Sequence, residues 1–322
     1  MNKAGNRNGS PHGVWQCCGA DSSPPPRREN AAPRVFRLRD VRLTLGRVPR
    51  IVGIVNVTPD SFSDGGRHLD PHAAVMHAHT LARAGADIID VGGESTRPGS
   101  TGTSVREELD RVLPVIDALM EDRRRGEIQA CISIDTRKPE VARAALELGC
   151  HLVNDVSAAA DPGMVELLRE RSDVPVVLMH MKGDPKTMQN APQYDDVVGE
   201  VAAFLATRAS KLEESGIDRD RIVIDPGIGF GKRFRDNLVL LNRIDEFHAL
   251  GYPVLVGASR KRFLGELLDA GPGDRLSGSL AAAAACYVSG VEFVRAHDVL
   301  ETARLLRVMD AVAHPEDYNA DW

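Results

Sequence analysis

From residue 34 onward, short β-branched apolar runs alternate with amphipathic helical stretches, and the alternation recurs eight times. The runs lie at 51–55, 87–91, 131–134, 152–153, 174–178, 221–224, 254–256 and 293–294. Each is nearly all apolar, which is the pattern of a parallel strand buried on both faces. Helical periodicity fills 71–84, 105–121, 139–148, 196–214, 236–250 and 298–313, with Gly85, Gly149, Gly216 and Gly251 as stops. Eight such units predict an α/β chain folded as a (β/α)8 TIM barrel, parallel strands inside and helices outside. A doubly wound sheet lacks its fingerprint here, because Gly227-Ile228-Gly229-Phe230-Gly231 is followed by Lys232 where a third Gly should fall.

Ahead of the barrel, residues 35–45 alternate apolar and charged positions, as a hairpin or strand pair does. Residues 1–33 are rich in Asn, Gly, Ser, Pro and Arg and read as a disordered N-terminal tail. One barrel domain then takes 34–316, and 317–322 form a C-terminal tail. The tail has no apolar core of a secretory signal, and no run of about 18 apolar residues crosses a membrane. A net charge of −6 speaks against a nucleic-acid partner. Five cysteines (Cys17, Cys18, Cys131, Cys150, Cys286) form no C-x-x-C pair, so they read as the reduced thiols of a cytoplasmic enzyme.

Catalysis in a barrel belongs at the carboxyl ends of the strands, and polar residues follow every run. They are Asn56 after the first, Glu94 to Arg97 after the second, then Asp135, Asn154-Asp155, Met179-His180, Asp225, Ser259-Arg260-Lys261 and Arg295-Ala296-His297. Buried polar groups cost free energy unless they are used or paired. Two sets emerge. Arg97, Arg260, Lys261, Arg295 and His297 suit an anion such as a phosphate ester. Asp135, Asn154 and Asp225 suit the N–H edge of a nitrogen heterocycle. Blander readings also exist: taken alone, Asp135 or Asp225 is a turn residue, and His180 a satisfied structural histidine. His68, His72, His77 and His79 lack a ligand spacing and read as a solvated face. Cys131 and Cys150 read as small core residues.

The rim segments closely resemble those of the bacterial dihydropteroate synthase family. The resemblance is carried in order by Asn56-Val57-Thr58-Pro59-Asp60-Ser61-Phe62-Ser63-Asp64-Gly65-Gly66, by 92–99, by Ser133-Ile134-Asp135-Thr136, by Asn154-Asp155 and by Leu178-Met179-His180-Met181. It continues through 225–232, Gly257-Ala258-Ser259-Arg260-Lys261, Arg275-Leu276-Ser277-Gly278-Ser279 and Arg295-Ala296-His297-Asp298. It implies transfer of the dihydropterin methylene group from 6-hydroxymethyl-7,8-dihydropterin pyrophosphate to p-aminobenzoate, with release of pyrophosphate. On that resemblance Asp135, Asn154, Asp225 and Lys261 contact the pterin, with Met179 in the wall. Asn56, Arg295 and His297 would hold the pyrophosphate, and Asn56 would also ligate Mg²⁺. Thr96, Arg97, Pro98, Phe230, Ser259 and Lys261 would frame p-aminobenzoate, while Phe62 and Asp64 ride on a loop over the reacting centre. Asn56, Asp64, Lys261, Arg295 and His297 would be the catalytic set, and the family implies a homodimer built through the late helices.

Ile228 stands where the family often has an aromatic residue, which would alter the pocket wall. A methyltetrahydrofolate-dependent methyltransferase barrel would not need the pyrophosphate cradle. An inactive pterin-binding paralogue should have lost a motif residue, and none is missing.

Overall fold

The computed structural model describes residues 33–58, 70–95, 102–183, 188 and 192–318. A two-stranded antiparallel hairpin comes first, β1 (Arg34–Leu38) with β2 (Val41–Leu45). Eight parallel strands follow: β3 (Arg50–Asn56), β4 (Ile88–Gly92), β5 (Cys131–Asp135), β6 (Leu152–Asp155), β7 (Val176–Met179), β8 (Ile222–Asp225), β9 (Leu255–Val256) and β10 (Phe293–Ala296). Their order is β8-β7-β6-β5-β4-β3-β10-β9. A parallel bridge between Ile224 and Val254 brings β8 onto β9 and closes the barrel.

Around it run α1 (Pro71–Arg83), α2 (Val105–Arg124), α3 (Pro139–Leu148), α4 (Pro162–Glu170), α5 (Val197–Glu214), α6 (Phe234–Asn242), α7 (Arg262–Leu268), α8 (Leu276–Val288) and α9 (Val299–Ala313). The expected helix over 236–250 is two pieces, because α6 ends at Asn242 and Ile244–Leu250 winds as a 3-10 turn. Helices α4, α7 and α8 fall outside the six periodic ranges: α4 and α7, at nine and seven residues, show barely two turns of pattern, and the Ala-rich α8 has little polar contrast between its faces. Local chemistry sets the helix starts. The Asp70 carboxylate accepts from the His72 amide at 2.9 Å, and Ser104 and Glu107 cap each other's backbone at the head of α2.

Strand alternation then sorts the side chains. Ile51, Val55, Ile89, Val91, Ile132 and Ile134 pack beneath the helices. The opposite parity points into the barrel, where Val52, Ile88, Cys131, Leu152, Val177, Val223, Leu255 and Phe293 form one layer, one residue from each strand. Phe36, Leu38 and Leu45 of the hairpin join that layer, and Phe36 meets Phe293 edge-on at 5.5 Å. Arg39 fastens the plug by donating to the Leu146 and Cys150 carbonyls at 3.0 and 3.1 Å. The amino-terminal end is therefore sealed, and polar side chains collect at the carboxyl end. Past α9, Asp317 pairs with Arg47 at 2.7 Å and the Tyr318 hydroxyl donates to Asp310 at 2.8 Å. Among the described residues no helix is long and apolar enough to cross a membrane.

Candidate active site

A cleft of about 1200 Å³ opens at the carboxyl end of the barrel. Its walls include Asn56 at the end of β3, Phe230 after β8, Ser259 and Lys261 after β9, and Arg295 and His297 from the β10 end. These six were expected at the rim, and the fold brings them together.

The buried base of the site is a charge network. Arg295 Nε donates to Asp90 Oδ2 at 2.7 Å, and Arg295 Nη2 donates to Asp135 Oδ2 at 2.7 Å. Asn154 Nδ2 donates to the same Asp90 oxygen at 2.9 Å. The expected separation of cationic and acceptor sets is thus corrected: Arg295, Asp135 and Asn154 interlock. The reason is electrostatic, since a guanidinium on the inner face of a barrel needs a countercharge. Asp90 escaped the sequence reading because it lies inside the apolar run 87–91, not beyond it. Its signal was parity, for it falls two positions after inward-facing Ile88.

Asp225 closes the acceptor side. Its carboxylate accepts from the Gly227 amide at 2.7 Å. Burial pushes its pKa up to about 6, against the pull of the Gly227 amide and Lys261. Burial likewise raises Asp135, although Arg295 opposes it. Met179 lies opposite Asp225 in the β7–β8 register and is buried. Lys261 places its Nζ 3.8 Å from the centre of the Phe230 ring. Burial and the Arg295 charge bring its pKa down to about 8. His297 is held twice by Ser259 Oγ, which accepts from its backbone amide at 3.2 Å and lies 3.1 Å from its Nδ1. Burial, then Arg295, depress its pKa to about 3, so the ring is neutral. Arg260, expected in the anion set, lines the cleft as well, with a φ of 57° and an ion pair to Asp298.

Beneath Phe230 sits a pair that sequence reasoning did not join. Buried Lys232 donates to His180 Nδ1 at 2.9 Å and to the Phe230 carbonyl at 3.0 Å. His180 is buried and edge-on to Phe204 at 4.9 Å, in line with its structural reading. Burial lowers Lys232 to about 7 and His180 to about 3. Gly227 and Gly231, at φ 67° and 61°, allow this approach. A Cβ on either would strike a backbone carbonyl, that of His180 or Lys182.

Asp64, Phe62, Thr96, Arg97 and Pro98 lie outside the described residues. Glu94 and Thr103, which flank the second of these loops, are joined by a backbone-to-carboxylate bond of 3.2 Å. The solvated-face reading of the histidines is corrected at two positions. His77 lines the cleft, and His79 Nε2 lies 2.8 Å from Asp122 Oδ2. Ile228 is fully buried in the outer core, so it does not alter the pocket wall. Among the described residues no group of three His, Cys, Asp or Glu side chains is disposed to hold a metal.

Comparison with known proteins gives a consistent picture. Residues 52–297 match the family described as "Pterin binding enzyme". The dihydropteroate synthase of Escherichia coli (strain K12) is 49% identical over 263 residues, covering 82% of this chain and 91% of that protein. The solved dihydropteroate synthase of Xanthomonas albilineans with 4-aminobenzoic acid superposes with a TM-score of 0.81 at 47% identity, covering 88% of this chain and 99% of that one. The enzyme from the same organism in complex with 7,8-dihydropteroate gives 0.77 at 45% identity, with coverage of 87% and 99%.

Proposed function

The chain belongs to the dihydropteroate synthase family of pterin-binding enzymes, and from that membership we propose how its cleft carries out the transfer. It is a transferase that joins the dihydropterin methylene group of 6-hydroxymethyl-7,8-dihydropterin pyrophosphate to p-aminobenzoate and releases pyrophosphate. The observation that carries the residue assignment is the contact between Arg295 and Asp135. A cation that holds the diphosphate and a carboxylate that holds the heterocycle must lie side by side if both serve one two-part substrate.

In this reading Asp135, Asn154, Asp225 and Lys261 hold the pterin, and Met179 forms its wall. The carboxylates are acceptors for N–H donors. Asn56, Arg295 and His297 hold the diphosphate. In the tautomer where Ser259 Oγ, which accepts from the His297 amide, donates to Nδ1, the proton of the neutral ring is on Nε2, available to a phosphate oxygen. Phe230, Ser259 and Lys261, with Thr96, Arg97 and Pro98, frame p-aminobenzoate, and Asp64 comes in on its loop. An arylamine is neutral at pH 7 and needs little help from a base, so the transfer asks for no general base at the amine.

Mg²⁺ fits this donor set. Asn56 offers a neutral oxygen at the cleft, and a small hard cation of this kind takes most of its ligands from water and substrate phosphates. When bound, it would neutralise charge on the departing diphosphate. A homodimer is supported by Val308 and Val312 on α9, which are 60% and 78% exposed one turn apart. A cytoplasmic location is supported by the buried free thiols of Cys131, Cys150 and Cys286.

The test is to incubate purified protein with both substrates and Mg²⁺. Dihydropteroate should appear in step with pyrophosphate, and EDTA should stop it. Tight pterin binding without product would revive the inactive-paralogue alternative.

A further inference from the structure

We propose that Asp90 is a positioning residue that couples the two halves of the substrate site. The inference rests on the pterin and diphosphate reading given above.

Asp90 lies on β4 and is 1% exposed. A single oxygen, Oδ2, accepts from Arg295 Nε and from Asn154 Nδ2. Those two donors belong to opposite halves of the site, Arg295 to the diphosphate and Asn154 to the pterin. They come from β10 and β6, strands that do not neighbour each other in the barrel. The shared oxygen therefore sets the spacing between them, and a substrate bridging both halves gains from having that spacing fixed beforehand.

A purely structural role explains Asp90 poorly. Among the described residues its other oxygen, Oδ1, is buried with no hydrogen-bond partner. A half-satisfied buried carboxylate costs stability. Arg295 would keep a countercharge in Asp135 if Asp90 were neutral. What Asp90 adds is the second, angular constraint on the guanidinium, together with its tie to Asn154. The carboxylate is buried, acts through Arg295 and Asn154, and makes no claim on the reacting atoms.

Asp90→Asn and Arg295→Met, alone and combined, test this in steady-state kinetics. Asp90→Asn should raise the KM for the dihydropterin pyrophosphate at least about tenfold, the scale of a charge-assisted hydrogen bond. The KM for p-aminobenzoate should move less than about twofold, and the urea midpoint should hold or rise. In the Arg295→Met background the effect of Asp90→Asn should shrink to below about threefold, because the two residues act as one unit. An equal rise in both KM values, or an Asp90→Asn effect undiminished by Arg295→Met, would overturn the proposal while leaving the assigned reaction intact. A wild-type chain that makes no dihydropteroate would overturn the underlying reading, and this inference with it.

Discussion

Asp225 and Lys261 face each other with opposite demands. In the proposed assignment the carboxylate must be ionised to accept an N–H edge, and burial has moved its pKa up to about 6. The ammonium must keep its proton to act as a cation, and burial has moved its pKa down to about 8. The free-enzyme profile of kcat/KM for the pterin substrate should therefore fall on the acid side between about pH 6 and pH 7, where Asp225 and the likewise raised Asp135 take up protons, and on the alkaline side near pH 8. Lys261→Met should abolish the alkaline fall, and Asp225→Asn should cost about 1.5–3 kcal/mol in kcat/KM. An acid limb near pH 4, the ordinary carboxylate range, would refute this account. His297 should not appear in the profile at all, since its ring stays neutral down to about pH 3.

The loops after β7 and β8 act as one element. Lys232 reaches from one to the other, and the Tyr194 hydroxyl donates to the Gly231 carbonyl at 2.7 Å. Gly231→Ala puts a Cβ into the Lys182 carbonyl at a left-handed backbone position, so a loss of at least about 2 kcal/mol is expected in urea unfolding. Because Phe230 rides on the same loop, the KM for p-aminobenzoate should rise in any Gly231→Ala protein that folds. Lys232 carries a pH signature of its own. Its folded pKa of about 7 lies below the unfolded value near about 10.4. Between those limits the unfolded chain binds more protons, so this residue makes stability increase as pH rises from about 7 to about 10. Below about pH 7 both states are protonated and the full penalty of the buried charge is present. Lys232→Met should flatten that slope, measured as the difference from wild type in chemical denaturation at pH 7 and pH 9.5. Identical slopes would mean that the ammonium is not desolvated.

Across the whole molecule, the barrel divides its labour by end. The hairpin plugs the amino-terminal mouth with Phe36, Leu38 and Leu45, while charge gathers at the carboxyl mouth. Phe36 is 1% exposed against a layer drawn from all eight barrel strands, so Phe36→Ala should cost about 3–5 kcal/mol of stability. Its kcat and both KM values at 25 °C should stay near wild type, because among the described residues the layer it packs on shares none with the cleft lining. A kcat that drops well before the unfolding transition would show that the two ends are mechanically linked.

Much of this was legible in the chain itself. A strand buried on both faces must be apolar, so the eight runs announced a barrel, and a barrel places its chemistry at the strand ends; that is how Asn56, Asp225, Lys261, Arg295 and His297 were expected at the rim, where the fold puts them. The helix stop at Gly149 was equally local, since that residue ends α3 at φ 117°. Other features depended on closure. Arg295 and Asp90 are 205 positions apart, and Lys232 and His180 are 52 apart. No local pattern specifies such pairs, because they arise only when strand parity and barrel register turn separate side chains toward one axis. The short helices α4 and α7 were invisible for a related reason, being held by packing more than by their own periodicity. Sequence determined which residues reach the rim. Only the tertiary structure decided which of them touch, since hydrophobic patterning acts between neighbours along the chain and charge pairing acts across space.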